Sequence, residues 1–240
     1  MSTRLRIDEQ PAYVLHSTSW RETSLIVEVF SRAHGRLPLV AKGARRPASP
    51  LRGLLMAFQP LVVGWSGRGE VKTLMDAQWR GGQPLLGGAA LLSGYYLNEL
   101  LLRLLPREDA HSRLFDAYAE TLKQLAGSAS IPPLLRSFEL QLLRELGYAP
   151  SLDALADSGE PVREDGRYLF IIERGLVEAT TGLEDAPVLP GHVLLAMARD
   201  DFSAAETQQA ARPLMRRLLQ HYLGTQGLES RRIFMELQEL

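Results

Sequence analysis

The 240-residue chain has no cysteine. That absence removes disulfides, thiolate nucleophiles and every cysteine-ligated zinc or iron–sulfur site. Long apolar runs are missing as well. A membrane span needs roughly 18 or more uninterrupted apolar residues, and even the leucine-rich stretch around residues 97–105 is broken by Asn98, Glu99 and Arg103. The first eight residues, Met1-Ser-Thr-Arg-Leu-Arg-Ile-Asp8, contain no apolar core of the kind a secretory signal uses. The expectation is a cytoplasmic protein with no membrane partner. Hydrophobic residues make up 45% and charged residues 23%, a balance that supports a packed core rather than disorder.

Catalytic signatures are equally scarce. The sequence holds no Walker loop, no Gly-x-Ser-x-Gly elbow and no His-Glu-x-x-His helix. Its five histidines (His16, His34, His111, His192, His221) are scattered without ligand spacing. Gly67-Arg-Gly69 precedes a strand-like segment rather than a helix, so it reads as a hairpin tip and not as a phosphate loop. A nuclease would need clustered carboxylates to hold metal ions. These absences point to a non-enzymatic protein without a cofactor or metal.

One further absence is local. Between Glu28 and Glu70 there is no acidic residue, while Arg32, Arg36, Lys42, Arg45, Arg46, Arg52 and Arg68 all fall in that interval. Residues 1–80 carry 12 basic against 6 acidic side chains and the remaining 160 carry 15 against 22, so the net charge of −1 conceals two opposite halves. This split suits a polyanion-binding lobe joined to a lobe of another kind. With no acid nearby in sequence, the field of the run would reach phosphates about a Debye length away. A solvated basic face without a partner is the plain alternative.

The first 80 residues read as five short strands, at residues 14–17, 24–30, 36–42, 61–65 and 70–79. In the last, Val71, Thr73, Met75, Ala77 and Trp79 alternate with Lys72, Leu74, Asp76 and Gln78, the period of a half-buried strand. Ser66-Gly-Arg-Gly69 supplies its hairpin turn. A basic five-stranded module of this size suggests an OB-fold barrel. Lys42, Arg45, Arg46 and Arg52 sit among Gly43, Ala44, Pro47, Ser49 and Pro50, the composition of a loop that drapes over a nucleic-acid backbone. Of the aromatic residues, Tyr13, Phe30, Phe58 and Trp65 are expected in the core. Trp20, in a polar turn beside Arg21, is the best candidate for base stacking.

From residue 84 the period becomes helical. Helices are expected over residues 91–105, over 109–125 with Gly127 as stop, and from Pro132-Pro133 to Gly147. Ser203 and Glu206 have capping-box spacing at the start of a helix that Pro213 should kink or divide, and a last helix should follow Ser230. Residues 150–190 are rich in glycine and proline, with a strand near residues 168–172, and read as a small β-rich insertion. The expected organisation is an α+β protein with an OB-fold DNA-binding domain at residues 1–80 and a mainly helical domain at residues 81–240. Leu135, Phe138, Leu142 and Leu146 form an apolar stripe with Arg136 beside it. Core packing explains the stripe, and an acidic, hydrophobic peptide could use the same surface.

Several segments carry a family resemblance. Ala12-Tyr-Val-Leu-His-Ser17, Arg21-Glu-Thr-Ser-Leu25, Leu39-Val-Ala-Lys-Gly-Ala-Arg45, Phe58-Gln-Pro-Leu61 and Gly67-Arg-Gly-Glu-Val-Lys-Thr-Leu74 resemble the RecO family of bacterial DNA repair proteins. So do Tyr96-Leu-Asn-Glu-Leu100, Arg136-Ser-Phe-Glu-Leu140, Leu146-Gly-Tyr148 and Ser230-Arg231, in the same order along nearly the whole chain. The resemblance implies an OB-fold followed by a helical domain and no enzymatic activity. It implies binding of single- and double-stranded DNA, strand annealing, and help to RecA in displacing single-stranded DNA-binding protein, together with RecR and in some pathways RecF. It makes Lys42, Arg45 and Lys72 the leading DNA contacts; Arg36, Arg46, Arg52 and Arg68 rest more on charge. It also implies that Arg136, with Leu135 on the adjoining apolar stripe, receives the C-terminal tail of single-stranded DNA-binding protein. Where many members carry two Cys-x-x-Cys pairs, this chain has Leu155 and Ser158, then approximately Glu178 and Thr181, so its insertion lacks zinc ligands and is expected to rely on packing. On the residues alone a second class stays open, a protein-interaction adaptor whose basic lobe receives an acidic partner instead of DNA.

Overall fold

The structure is a computed structural model that describes residues 6–127, 130–179, 188–224 and 226–238. It opens with strands β1 (Arg6–Trp20), β2 (Ser24–Ser31) and β3 (Gly35–Ala41), a short helix α1 (Leu51–Leu54), and strands β4 (Leu61–Ser66) and β5 (Lys72–Trp79). The strands close into a barrel in the order β1-β2-β3-β5-β4, with β4 pairing back onto β1 and only β3 and β5 parallel. This five-stranded closed barrel is the OB-fold expected from the sequence.

Alternation along β1 explains why its apolar run is continuous. Ala12 and Val14 enter the barrel core with Val27, Val29, Leu37, Leu39, Leu61, Val63, Trp65 and Leu74. Tyr13 and Leu15 are buried as well but lie outside that core. Helices α2 (Gly88–Leu104) and α3 (Ser112–Ala126) follow the barrel, and Tyr13 meets Phe115 and Tyr118 of α3 at ring separations of 5.5 and 5.2 Å. Phe30 reaches Phe115 at 5.4 Å. A strand that buries both faces shows no polar alternation.

Strand β5 departs from the alternation expected of it. Lys72 and Leu74 are the buried positions, and the register with β4 shifts between Gly64 and Trp65, leaving Met75 as the extra residue. After this bulge Ala77 packs against the core while Met75 and Trp79 are exposed.

The chain forms two compact units, residues 1–129 with 228–240, and residues 130–227. The boundary expected near residue 80 separates barrel from helices inside the first unit. That unit is completed by α7 (Glu229–Gln238) and bound together by two neighbouring side chains of α2. Asn98, 2% exposed, donates to the Leu15 carbonyl of β1 at 2.8 Å and accepts from the Tyr118 hydroxyl of α3 at 2.5 Å. Glu99 caps α7: its Oε1 accepts the Glu229 N–H at 2.8 Å, and its Oε2 accepts the Ser230 N–H and hydroxyl at 2.9 and 2.5 Å. These are first-turn donors that the helix itself leaves unpaired.

The second unit contains α4 (Ile131–Glu145), a three-stranded sheet of β6 (Arg167–Ile171), β7 (Gly175–Glu178) and β8 (Val188–Pro190) in the order β7-β6-β8, then α5 (Gly191–Ala198) and α6 (Ala205–Leu223). Buried Tyr168, Leu169, Phe170 and Leu176 pack the expected β-rich insertion. Leu155 donates its N–H to Glu160, Glu178 ends β7 and lies 3.4 Å from Arg163, and Thr181 lies outside the described residues. Of the two outcomes expected at Pro213, division does not occur, and α6 runs unbroken across it. One expectation is corrected. Ser203 is not its N-cap: the hydroxyl donates to Asp201 at 2.6 Å, holding that carboxyl below the usual carboxylate range, and Glu206 lies 3.1 Å from His192.

Candidate nucleic-acid interface

Two segments at one end of β1 build the candidate surface. The β1–β2 turn contains Arg21, Glu22 and Thr23, with Trp20 paired to Ser24 across it. The loop after β3 begins at Lys42. Ala44, fully buried in the barrel core, anchors that loop. The Arg45 N–H donates to the Thr23 carbonyl at 2.8 Å, the Gly43 N–H donates to the Ser24 hydroxyl at 3.4 Å, and the Arg45 guanidinium donates to the Arg21 and Glu22 carbonyls at 3.5 and 3.3 Å. The loop then turns on itself through Arg46 to Gly43 and Ser49 to Arg46 hydrogen bonds at 3.1 and 3.0 Å. The main chain is therefore fixed while the side chains of Lys42, Arg45, Arg46 and Arg52 stay exposed. Among the described residues, no carboxylate lies within ion-pair distance of these four.

The other expected cations are placed differently. Arg36 is largely buried and caps the end of α2, donating to the Leu105 carbonyl at 3.1 and 2.9 Å and pairing with Glu28 at 3.3 Å. Lys72, also buried, pairs with Glu108 at 2.5 Å. Arg32 meets Asp116 of α3 at 2.7 Å, and this guanidinium holds the carboxyl below its usual range. Arg107 adds a 2.6 Å contact to Glu28. The field of the basic run is thus cancelled at Arg32 and Arg36 by carboxylates, one of them 84 residues away in sequence. Close approach of the chain enforces this arrangement: Gly35 has φ +65°, and a Cβ there would lie 1.9 Å from the Asp109 carbonyl oxygen. Arg68 sits at the exposed tip of the β4–β5 hairpin, which leaves beside Arg6, at the other end of β1 from Trp20.

Tyr13, Phe30, Phe58 and Trp65 are buried, as expected, and Trp20 is 43% exposed. Arg21 is the site-adjacent residue that charge counting passed over. It has φ +53° and its guanidinium carbon lies 6.0 Å from the Trp20 ring centroid. The signal was the tripeptide Trp20-Arg-Glu22 itself, which interrupts two apolar strands. In the second unit Arg136 is largely buried on α4 and pairs with fully buried Glu139 at 2.6 Å, with Leu135 partly buried beside it. Among the described residues there is no group of three His, Asp or Glu side chains placed to hold a metal ion, and no helix is long and apolar enough to cross a membrane.

Comparison with known proteins covers nearly the whole chain. The family model described as Recombination protein O N terminal matches residues 5–82, and that described as Recombination protein O C terminal matches residues 87–232. Among curated relatives, the chain is 60% identical over 240 residues to the DNA repair protein RecO of Aromatoleum aromaticum and 57% identical over 243 residues to that of an Azoarcus species, in both cases over the full length of each chain. It is 50% identical to the protein of that name from Nitrosospira multiformis, over 98% of each. With both halves matched in order and relatives aligned from end to end, the chain belongs to the RecO family of DNA repair proteins.

Proposed function

We propose that the chain is a non-enzymatic recombination mediator that binds single- and double-stranded DNA through the loop after β3. The observation that carries this reading is the set of four exposed, unopposed cations on a main chain clamped to the β1–β2 turn of an OB-fold barrel. Lys42, Arg45 and Arg46 are the central phosphate contacts, Arg52 flanks them, and Arg68, on the β4–β5 hairpin at the other end of β1, is a separate contact. Arg36 and Lys72 support the barrel that carries the loop. Because the cations need no cofactor and no bond is made or broken, binding would anneal complementary strands and assist RecA in replacing single-stranded DNA-binding protein without nucleotide turnover. RecR, and in some pathways RecF, are its partners in this role, at the nucleoid.

The test is a salt titration of binding to a single-stranded oligonucleotide. Each phosphate left without its cation lowers the log–log salt slope by roughly 0.7 to 0.9, so the Lys42, Arg45, Arg46 triple alanine variant is expected to lower it by roughly 2 to 3. A slope identical to that of the parent would favour the adaptor reading, in which an acidic protein occupies this face. The second unit is read as the dock for the acidic, hydrophobic C-terminal tail of single-stranded DNA-binding protein. Leu135 offers apolar surface there, and Arg136 has guanidinium donors beyond the one directed at Glu139. Arg136→Glu is expected to weaken capture of that tail peptide while oligonucleotide affinity is unchanged; equal peptide binding would count against the dock.

A further inference from the structure

Cations alone would take double- and single-stranded DNA alike, since both present phosphates. The β1–β2 turn adds something that phosphate chemistry does not use. Trp20 ends β1 with its indole 43% exposed, unlike Trp65, which is buried in the barrel core. The turn that holds Trp20 is not free to fold away. Thr23 and Ser24 accept main-chain N–H groups from Arg45 and Gly43, and Arg45 ties down the carbonyls of Arg21 and Glu22. The main chain that carries the exposed indole is thereby fixed against the loop that carries the unopposed cations. Arg21, held at φ +53°, places its guanidinium 6.0 Å from the ring centroid, farther than direct stacking contact.

We infer that Trp20 is a stacking platform for an unpaired base, so that the DNA-binding surface discriminates single strands from duplex. The inference rests on the reading of this loop as the DNA site. An exposed aromatic ring beside backbone-tracking cations is the combination that single-strand binders use, because an unpaired base offers a π-face that duplex pairing hides. Arg21 contributes a cation near the same ring, available to the base or to its phosphate. Arg45 acts here as a positioning residue as well as a cation, since its guanidinium and main chain both hold the turn.

The experiment compares Trp20→Ala, Trp20→Phe and the Lys42, Arg45, Arg46 triple alanine variant for binding to oligothymidylate and to a duplex of equal length across a salt series. Loss of one stacked base raises Kd about tenfold. Trp20→Ala is therefore expected to weaken oligothymidylate binding about tenfold, leave duplex binding within about twofold, and keep the parental salt slope, because every phosphate keeps its cation. Trp20→Phe should restore most of the affinity. In a Trp79→Phe background, oligothymidylate should quench the remaining exposed tryptophan. Equal loss on both DNAs, unchanged oligothymidylate affinity in Trp20→Ala, or no quenching overturns the stacking role. Those results leave the DNA site standing so long as the triple variant shows its reduced slope; a triple variant with the parental slope overturns the DNA site itself.

Discussion

The same barrel carries two populations of cations. Arg32, Arg36 and Lys72 are each met by a carboxylate, and two of the three acids, Asp116 and Glu108, come from the helical segment that follows the barrel. Lys42, Arg45, Arg46 and Arg52 lie in the same stretch of sequence and, among the described residues, are met by none. The difference is produced by what packs where. The loop joining α2 to α3, with Glu108, lies along β3 at Arg36, and α3 carries Asp116 to Arg32, while the loop after β3 is fixed against the β1–β2 turn. A basic run is thus divided by the fold into cations that hold the protein together and cations available to a ligand.

The comparison can be broken at its strongest point first. Reversing Lys42, Arg46 and Arg52 to glutamate should abolish measurable oligonucleotide binding at moderate salt while the thermal midpoint stays near that of the parent, because these three side chains are exposed and hold no part of the fold. Arg36→Ala should do the opposite. It removes the cap on α2 and one partner of Glu28, and should lower unfolding free energy by about 2 kcal/mol in denaturant titration while keeping the salt slope. A fall in slope with full stability would move Arg36 into the ligand-facing group.

Lys72→Met is a finer test. The lysine is buried but Glu108 is half-exposed, so an apolar side chain of similar length should change stability by less than about 1 kcal/mol and leave the slope unchanged. A slope reduced by about 1 would instead make Lys72 a phosphate contact. The smallest effect is expected at Arg32–Asp116, where both side chains are about half-exposed. Because the folded state lowers the Asp116 pKa, its stabilisation is present above the ordinary aspartate range and is lost as pH falls through the folded value. Asp116→Asn should therefore differ slightly from the parent in thermal midpoint at neutral pH and converge with it below about pH 4.

Much of this was legible in the sequence where the chemistry is local. β2, β3 and β4 and the glycine-bearing hairpin at residues 66–69 announce themselves by apolar runs and turn residues, and the proline start and glycine stop of α4 do the same. The full length of β1 was not legible. Its first half contains Asp8, Glu9, Gln10 and Pro11, and the register with β4 shifts between Ile7 and Gln10, so pairing partners rather than propensity make it a strand. α1 is too short to show a period. In the candidate site, the basic loop could be read directly, whereas the pairing of Lys72 with Glu108, 36 residues away, and the capping of α2 by Arg36, 69 residues from its acceptor, could not. The Asn98 and Glu99 pair likewise looked like part of a leucine-rich helix, and their roles emerge only when β1, α3 and α7 surround them.

The capping of α7 by Glu99 bears on the order of synthesis. Residues 228–240 belong to the same compact unit as the barrel, yet about a hundred residues of the second unit are made between them and α3. On the ribosome, the Glu99 carboxylate must therefore wait, without its N–H and hydroxyl partners, until Glu229 and Ser230 have left the exit tunnel. The unit whose synthesis starts first is the last to be completed, so removing α7 strikes the barrel-containing unit rather than the unit that directly precedes it in the chain.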